Sequence, residues 1–317
     1  MLDATRLRVL VAIARHGSVT AAAHALNYAQ PSISHHMARL EAETGVKLME
    51  RAGRGVRLTA AGQLLAGRAE EILGRLDAAE AELAAHVGTR PSQIGLAAFG
   101  SAMSTFVADA AAALRADLPG VSLVLTQAEP AEALRMLRTS QVDVALTYRY
   151  LRRASEPDAS RERADDGLHR QLILDEPVYL ITPAARDGSS QRAPAAGGVL
   201  AGHAGQRWIA GDDAHRDFLN SLCRSAGFVP DIAAGSVAPA GTLALVQAGL
   251  GVAIAPGLAL RAARGSGSKV QATEIPGARR QIEAASYDGL ADPTSVGHLI
   301  DALIRAAAAV DEPVAVR

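Results

Sequence analysis

Apolar residues recur at spacings of three and four through the first sixteen positions, at Leu2, Leu7, Leu10, Val11 and Ala14, which predicts an amphipathic helix. Residues 18–45 read SVTAAAHALNYAQPSISHHMARLEAETG and predict two further short helices joined by a tight turn. Ser18 suits the N-cap of the first, and Ala22, Ala25 and Leu26 form its apolar stripe. Asn27 and Tyr28 make the turn, Pro31 fits the opening turn of the second helix, and Gly45 ends it. At about 100° per residue, Ile33, Met37 and Leu40 fall on one side of that second helix and should face a core. Pro31, His35, Ala38 and Ala42 fall on the other, flanked by Ser34 and Arg39. Past Gly45 the string VKLMERAGRGVRLTAAG places Arg51, Arg54 and Arg57 around Gly53 and Gly55, between short apolar segments. That pattern predicts a two-stranded wing with a basic tip.

Residues 59–87 predict one helix, with Thr59 as its cap. Leu65, Ile72, Ala79 and His86 repeat every seven positions, and Ala69, Leu76 and Leu83 follow the first three by four. This is a heptad seam, and Leu65, Ile72, Leu76 and Leu83 are its candidate dimerisation residues. Thr89-Arg90-Pro91 ends the helix.

From residue 93 the period changes. Strands are expected at 93–99, 121–127, 142–148, 169–174, 207–211, 231–237, 251–256 and 280–287. Helices are expected near 103–116, 130–139, 214–226, 239–249 and 292–309. The alternation predicts an α/β body with largely parallel sheets. The longest apolar stretch, 242–263, holds Gln247, Pro256 and three glycines, so it reads as helix, buried strand and second helix rather than a membrane span. Ligands of such bodies bind beyond the carboxyl ends of the strands. By that position Gln127, Glu129, Thr147 and Tyr148, then Asp212, His215, Ser236 and Val237, are candidate lining residues. Ser101, Ser104 and Thr105 add hydroxyls near a helix start, where a carboxylate or phosphate could sit, or where they could simply cap the helix.

Charge divides the chain unevenly. Residues 1–60 carry eight Lys and Arg against four Asp and Glu, a net +4, whereas the whole chain is −1, so residues 61–317 carry −5. A basic end on a weakly acidic body is the footprint of a nucleic-acid-binding module. The face of Pro31, Ser34, His35 and Arg39 is small and rich in donors, as a groove-facing surface requires, and meets no carboxylate before Glu41. At 317 residues and 49% hydrophobic, the chain is long enough for more than one core. One cysteine excludes an internal disulfide framework and suits a reducing cytosol. Asp3, Arg6 and Arg8 interrupt any signal-peptide pattern, so a cytoplasmic protein is expected.

An enzyme is the competing reading. His215 and Cys223 lie eight residues apart on one expected helix, about 12 Å along its axis, too far for a nucleophile–base pair. His35 and His36 point about 100° apart and do not form a metal pair. There is no P-loop, G-x-G-x-x-G, G-x-S-x-G or H-E-x-x-H. Neither a catalytic residue, a metal site nor a cofactor is expected. A periplasmic solute-binding protein would fit the α/β body but not the basic N-terminal module.

The ordered series SVTAAAHAL…QPSISHHMARLEAETGVKLMER…VRLTAAG resembles the N-terminal signature of the LysR-type transcriptional regulators over residues 2–62. Met49 stands where that family usually has Phe, and His35-His36 where it often has Arg-Gln, so operator preference does not carry over. The resemblance implies a winged helix-turn-helix DNA-binding domain at 1–62, a dimerising linker helix at 59–87 and an effector-binding domain at 91–310. That domain would have two periplasmic-binding-protein-like lobes, 91–165 with 271–310, and 166–270. Implied DNA contacts are Ser18, Thr20, Gln30, Pro31, Ser32, Ser34, His35, Arg39, Arg51 and Arg54. The match at Gly100-Ser101 implies effector contact by Ser101; Pro130 stands where many relatives have a small hydroxyl residue. Implied partners are double-stranded DNA with an imperfect palindrome, a small effector such as a carboxylate, further copies of the chain as homodimer or homotetramer, and RNA polymerase, with no membrane.

Overall fold

The computed structural model describes residues 2–52, 55–86, 92–152, 167–184, 198–235, 238–263, 270–287 and 293–310. Packing divides the chain into two units, Met1–Ser92 with Arg135–Val142, and Gln93–Leu134 with Asp143–Arg317.

In the first unit, α1 (Ala4–His16) starts where the Asp3 carboxylate accepts the Arg6 N–H, and stops at Gly17 in the left-handed region. α2 (Val19–Ala25) starts at Ser18, whose hydroxyl accepts the Ala21 N–H at 3.0 Å. The turn to α3 (Gln30–Thr44) passes through Asn27 at φ 55°, a conformation Asn tolerates better than most residues. Val9, Leu10, Ile13, Ala22, Ile33, Met37, Leu40 and Leu48 close one core. The wing is an antiparallel pair, β1 (Met49–Ala52) and β2 (Gly55–Leu58), in which Glu50 faces Arg57 and bonds it at 2.7 Å. Glu41 sets the entry to the wing: one oxygen accepts the N–H groups of Leu48 and Met49, the other the Lys47 ammonium at 2.6 Å.

α4 (Ala60–His86) is capped by Thr59, whose hydroxyl accepts the Gly62 N–H. Its first half packs into the same unit. Ala66 and Leu65 lie on the core just described, and Ala69 and Leu73 on Leu7 and Val11 of α1. A β-carbon at Gly62 would strike the Leu48 carbonyl, so only glycine lets α4 lie this close.

The second unit holds one eight-stranded sheet. Its strands are β3 (Ser92–Ala98), β4 (Val121–Gln127), β5 (Val144–Leu151), β6 (Leu168–Pro183), β7 (Arg207–Ile209), β8 (Asp231–Ala234), β9 (Val252–Pro256) and β10 (Val270–Tyr287), in the order β4-β3-β5-β10-β6-β9-β7-β8. The ends match the expected parallel pattern, with β3 on β5, and β7 on both β8 and β9. The middle does not. β10 pairs antiparallel with β5 and β6, and β6 pairs antiparallel with β9. The two strands expected to be short, 169–174 and 280–287, run for 16 and 18 residues. Polar and proline positions such as Asp175, Pro177 and Pro276 disguise their length, yet pairing to each other satisfies most of their backbone groups.

Around this sheet lie the short helix α5 (Gly100–Ala102), a π turn (Met103–Val107), α6 (Ala108–Asp117), α7 (Pro130–Arg138), α8 (Asp213–Ser225), α9 (Pro239–Gln247), α10 (Gly257–Ala262) and α11 (Pro293–Val310). They build two lobes. One core joins Leu96, Phe99, Phe106, Leu146, Leu174, Ile282, Leu299 and Leu303. In the other lobe the two faces of the sheet separate by strict alternation. Val178, Leu180, Trp208, Val252 and Ile254 lie on one face, and Tyr179, Ile181, Ile209, Ala253 and Ala255 on the other. The chain therefore changes lobe inside β6, between Leu174 and Val178, and inside β10, between Ala278 and Ile282.

Candidate DNA-binding surface and ligand cleft

α3 has two faces. Ile33, Met37 and Leu40 are wholly buried, which fixes the helix in its domain. Gln30, Pro31, Ser32, Ser34, His35 and Arg39 are exposed together, with Thr20 of α2. Ser34 donates to the Gln30 carbonyl, and Arg39 lies 3.9 Å from Glu43 while staying largely in solvent. His36, half-buried, stacks on Tyr28 at 5.8 Å, which leaves His35 as the outward imidazole of the pair. Ser18 is half-buried and its hydroxyl is occupied by the α2 cap. Arg51 is exposed on the wing, without an ion-pair partner among the described residues. Arg54 lies outside the described residues.

The expected dimer seam divides. Leu65 packs on its own domain, as does Ala69. Ile72, Leu76 and Leu83 remain 47%, 41% and 65% exposed. Around the helix these three fall within about 40° of one another, and Leu65 and Ala69, which pack on the domain nearer Thr59, lie along or beside the same line.

In the second unit a cavity of about 580 Å³ opens between the lobes. One wall is Phe99, Gly100, Ser101, Gln127, Glu129, Tyr148 and Tyr150; the other is Asp212, His215, Pro239, Thr242, Ile254, Pro256 and Ala259. Thr147 is absent from both walls. It neighbours Tyr148 on β5, so its side chain leaves by the opposite face of the sheet, where its hydroxyl meets the Glu283 carbonyl at 3.5 Å. Ser236 and Val237 lie outside the described residues.

The helix beside the cleft begins at Gly100 rather than near Met103: Phe99 is the extended residue before it, its carbonyl accepts the Ala102 and Met103 N–H groups, and the π turn at Met103–Val107 continues the helix. Ser104 and Thr105 donate to the carbonyls of Gly100 and Ser101, so their hydroxyls are taken by the helix itself. Ser101 differs. It is buried, and its oxygen accepts from Arg280 at 3.2 Å.

Arg280 is the centre of the cleft floor, a position absent from the sequence-based candidates. It sits opposite Tyr150 on β5 and Glu176 on β6. Its guanidinium bonds Glu176 at 2.6 Å, both side chains being only 4% exposed, and lies 5.1 and 5.0 Å over the rings of Phe99 and Tyr148. Glu176 in turn accepts the Leu258 N–H at 2.6 Å, which orients the start of α10. Burial alone would lower the Arg280 pKa; the Glu176 carboxylate outweighs it and holds the guanidinium charged. Burial pushes the Tyr150 phenol up to about 12. The signal available for these residues is period two: Arg280 shares its strand face with buried Ile282 and Ala284, and Glu176 with Leu174 and Val178.

Across the cleft mouth, Tyr148 donates to Asp212 at 2.5 Å and its hydroxyl lies 3.3 Å from Glu129. The other Asp212 oxygen caps α8 by accepting the His215 N–H. Burial, and then the charge of Asp212, raise Glu129 above the ordinary carboxylate range. Burial and the bond it donates likewise raise the Tyr148 phenol. His215 lines the wall but has no free nitrogen: Nδ1 accepts the Gly211 N–H, and Nε2 lies 3.0 Å from the Ile254 carbonyl, so it carries the proton. Burial lowers its pKa and keeps it neutral. Cys223 is buried in the lobe core, away from these groups. No group of metal-ligating side chains occurs among the described residues, and no described helix is long and apolar enough to cross a membrane.

Residues 4–63 match the profile of the bacterial regulatory helix-turn-helix protein, lysR family, and residues 88–308 that of the LysR substrate binding domain. The nitrogen assimilation regulatory protein nac of Escherichia coli is 34% identical over 180 residues, 56% of this chain and 54% of that protein. The uncharacterized HTH-type transcriptional regulator YvbU of Bacillus subtilis is 34% identical over 143 residues, 45% of this chain and 49% of that one. The chain thus spans about half the length of the curated relatives it matches. Among solved structures, CbnR, a LysR family transcriptional regulator, superposes with a TM-score of 0.63 at 22% identity, over 96% of this chain and 99% of that one. A full-length OxyR from Pseudomonas aeruginosa gives 0.60 at 20% identity, over 96% and 95%. At these identities the likeness is one of fold.

Proposed function

Since the chain belongs to the LysR family of bacterial helix-turn-helix regulators, with its two family domains covering residues 4–63 and 88–308, we propose that it is a cytoplasmic, effector-responsive transcription factor. The observation that carries this reading is α3. A helix fixed by three fully buried apolar side chains presents a continuous exposed face of Pro31, Ser34, His35 and Arg39, beside a wing bearing Arg51. Such a helix enters the major groove with its N-terminal half against base edges, while the wing meets the backbone. Gln30, Pro31, Ser34 and His35 read bases; Ser18, Thr20, Ser32, Arg39, Arg51 and Arg54 position the domain on phosphates. A solved CbnR complex contains its target DNA, which supports this mode of use for the fold.

Pairs of chains, joined along Ile72, Leu76 and Leu83, set two such helices on successive groove faces of an imperfect palindrome. The second unit responds to a small molecule held between its lobes, and lobe closure changes how the DNA-binding pairs are presented to the operator and to RNA polymerase. The effector carries a carboxylate, set against the N–H groups where α5 begins at Gly100 and Ser101. Regulators, not enzymes, are what the named relatives and neighbours are, and the spent nitrogens of His215 leave that imidazole unable to act as a general base. Selection of bound duplexes from a random DNA library with the full chain tests the reading. A recovered inverted repeat is expected. Recovery of unselected sequence would reduce the protein to a non-specific DNA binder.

A further inference from the structure

We infer that the cleft ligand also carries a protonated amine, held by Glu129 and Asp212, so that the effector belongs to the amino-acid-like class rather than to simple carboxylates. This rests on the reading of the cleft as the effector site.

Charges and protons on the walls do not balance. The one cation of the described lining, Arg280, is already neutralised by Glu176, covered by two aromatic rings and bonded to Ser101. It has little left to offer an anion. His215 is neutral and spends both nitrogens on backbone. Asp213, at the mouth, has Arg216 at 3.8 Å. What remains is a pair of carboxylates, one from each lobe, with no cation between them among the described residues. Tyr148 stands between them but has a single proton. At 2.5 Å Asp212 takes it, and Glu129 at 3.3 Å is left beside an oxygen that has no second hydrogen to give. An ammonium group carries three donors and a positive charge. Placed in the cavity against Glu129 and Asp212, it satisfies both acceptors at once and replaces their repulsion with attraction across the two lobes. The ligand itself would then close the cleft, because each lobe contributes one of the two carboxylates. The remaining wall, with Ala238, Pro239, Ala240, Pro256, Ala259 and Ala263, is apolar and small, which suits a short hydrocarbon body behind the charged group.

Three probes of equal carbon count separate the chemistries: butylammonium chloride, sodium butyrate and 4-aminobutyrate. They are added to the full chain at constant ionic strength while its melting temperature is followed. The expected result is dose-dependent stabilisation by butylammonium and by 4-aminobutyrate, more than by butyrate. In Glu129→Gln, which keeps the shape and removes the charge, the apparent affinity for both amines should fall about tenfold or more. Stabilisation by butyrate alone, by no probe, or by amines equally in Glu129→Gln overturns the inference. Failure of the underlying reading looks different. Ala259→Phe fills the cavity, and if a reporter driven by the selected operator then responds as before to growth conditions that induce the wild type, the cleft is not the effector site at all.

Discussion

His35 projects from α3 on the side opposite the buried Met37 and Leu40, so its imidazole is free to meet a base edge. His35→Ala should cost about 1–3 kcal/mol on the cognate duplex and little on random DNA, as measured by competition binding. Equal losses on both would make it a phosphate contact. Glu41 plays the opposite kind of role, holding structure rather than ligand. Burial alone would raise its pKa, but the Lys47 ammonium and the N–H groups of Leu48 and Met49 outweigh that and hold it below the ordinary 4.5. A carboxyl depressed by folding contributes stability that is present above its unfolded pKa and is lost as pH falls through the folded value. Unfolding of the DNA-binding domain should therefore become easier on acidification below about pH 4.5, and Glu41→Gln should flatten that dependence. Residues on one helix face are legible in the sequence because the helical period fixes them relative to one another, as with Ile33, Met37 and Leu40. Arg280 and Glu176 are not, because what brings them together is a pairing between strands about a hundred positions apart.

The linker helix α4 shows how a correct period can still be misassigned at the scale of elements. The heptad pattern puts Leu65 and Ile72 in one seam, but only the strip from Ile72 through Leu76 to Leu83 is open; the turns nearer Thr59 are consumed by α1 and the domain core. Leu76→Asp places a charge in that strip, and a weakening of the proposed pairing by several kcal/mol is expected, read by sedimentation. A mutant that stays dimeric would move the contact off this face. Gly62→Ala tests the other end of the same helix. The new methyl meets the Leu48 carbonyl, which also accepts the Thr59 N–H, so neither group can retreat without loss. A destabilisation of about 1–3 kcal/mol is expected from denaturant melts. Short strands at the sheet ends are legible from their apolar runs, as at Val252–Pro256. β6 and β10 read as truncated because the stretches that pass from one lobe to the other carry Asp175, Glu176, Pro177, Pro276 and Arg280, which break the apolar run although the buried face continues.

For the whole molecule, charge is the property that sequence alone measures well. A +4 end attached to a −5 remainder needs no structure to suggest a polyanionic partner. Arg51, exposed and without an ion-pair partner among the described residues, should contribute one counterion to that attraction. Arg51→Ala should lower the slope of log affinity against log salt by roughly one on any duplex, and an unchanged slope would place it away from the backbone. The order of the sheet is beyond the sequence, and it carries a consequence for how the chain is made. β10 sits between β5 and β6 although it leaves the ribosome after every other described strand of the sheet. Synthesis favours early segments, and the DNA-binding domain is complete long before that strand emerges. Until Val270–Tyr287 arrives, β5 and β6 hold out bare backbone edges of the kind that recruit other chains. A product terminated before Val270 is therefore no smaller version of the protein, but a template for aggregation whose missing strand can only come from a neighbour.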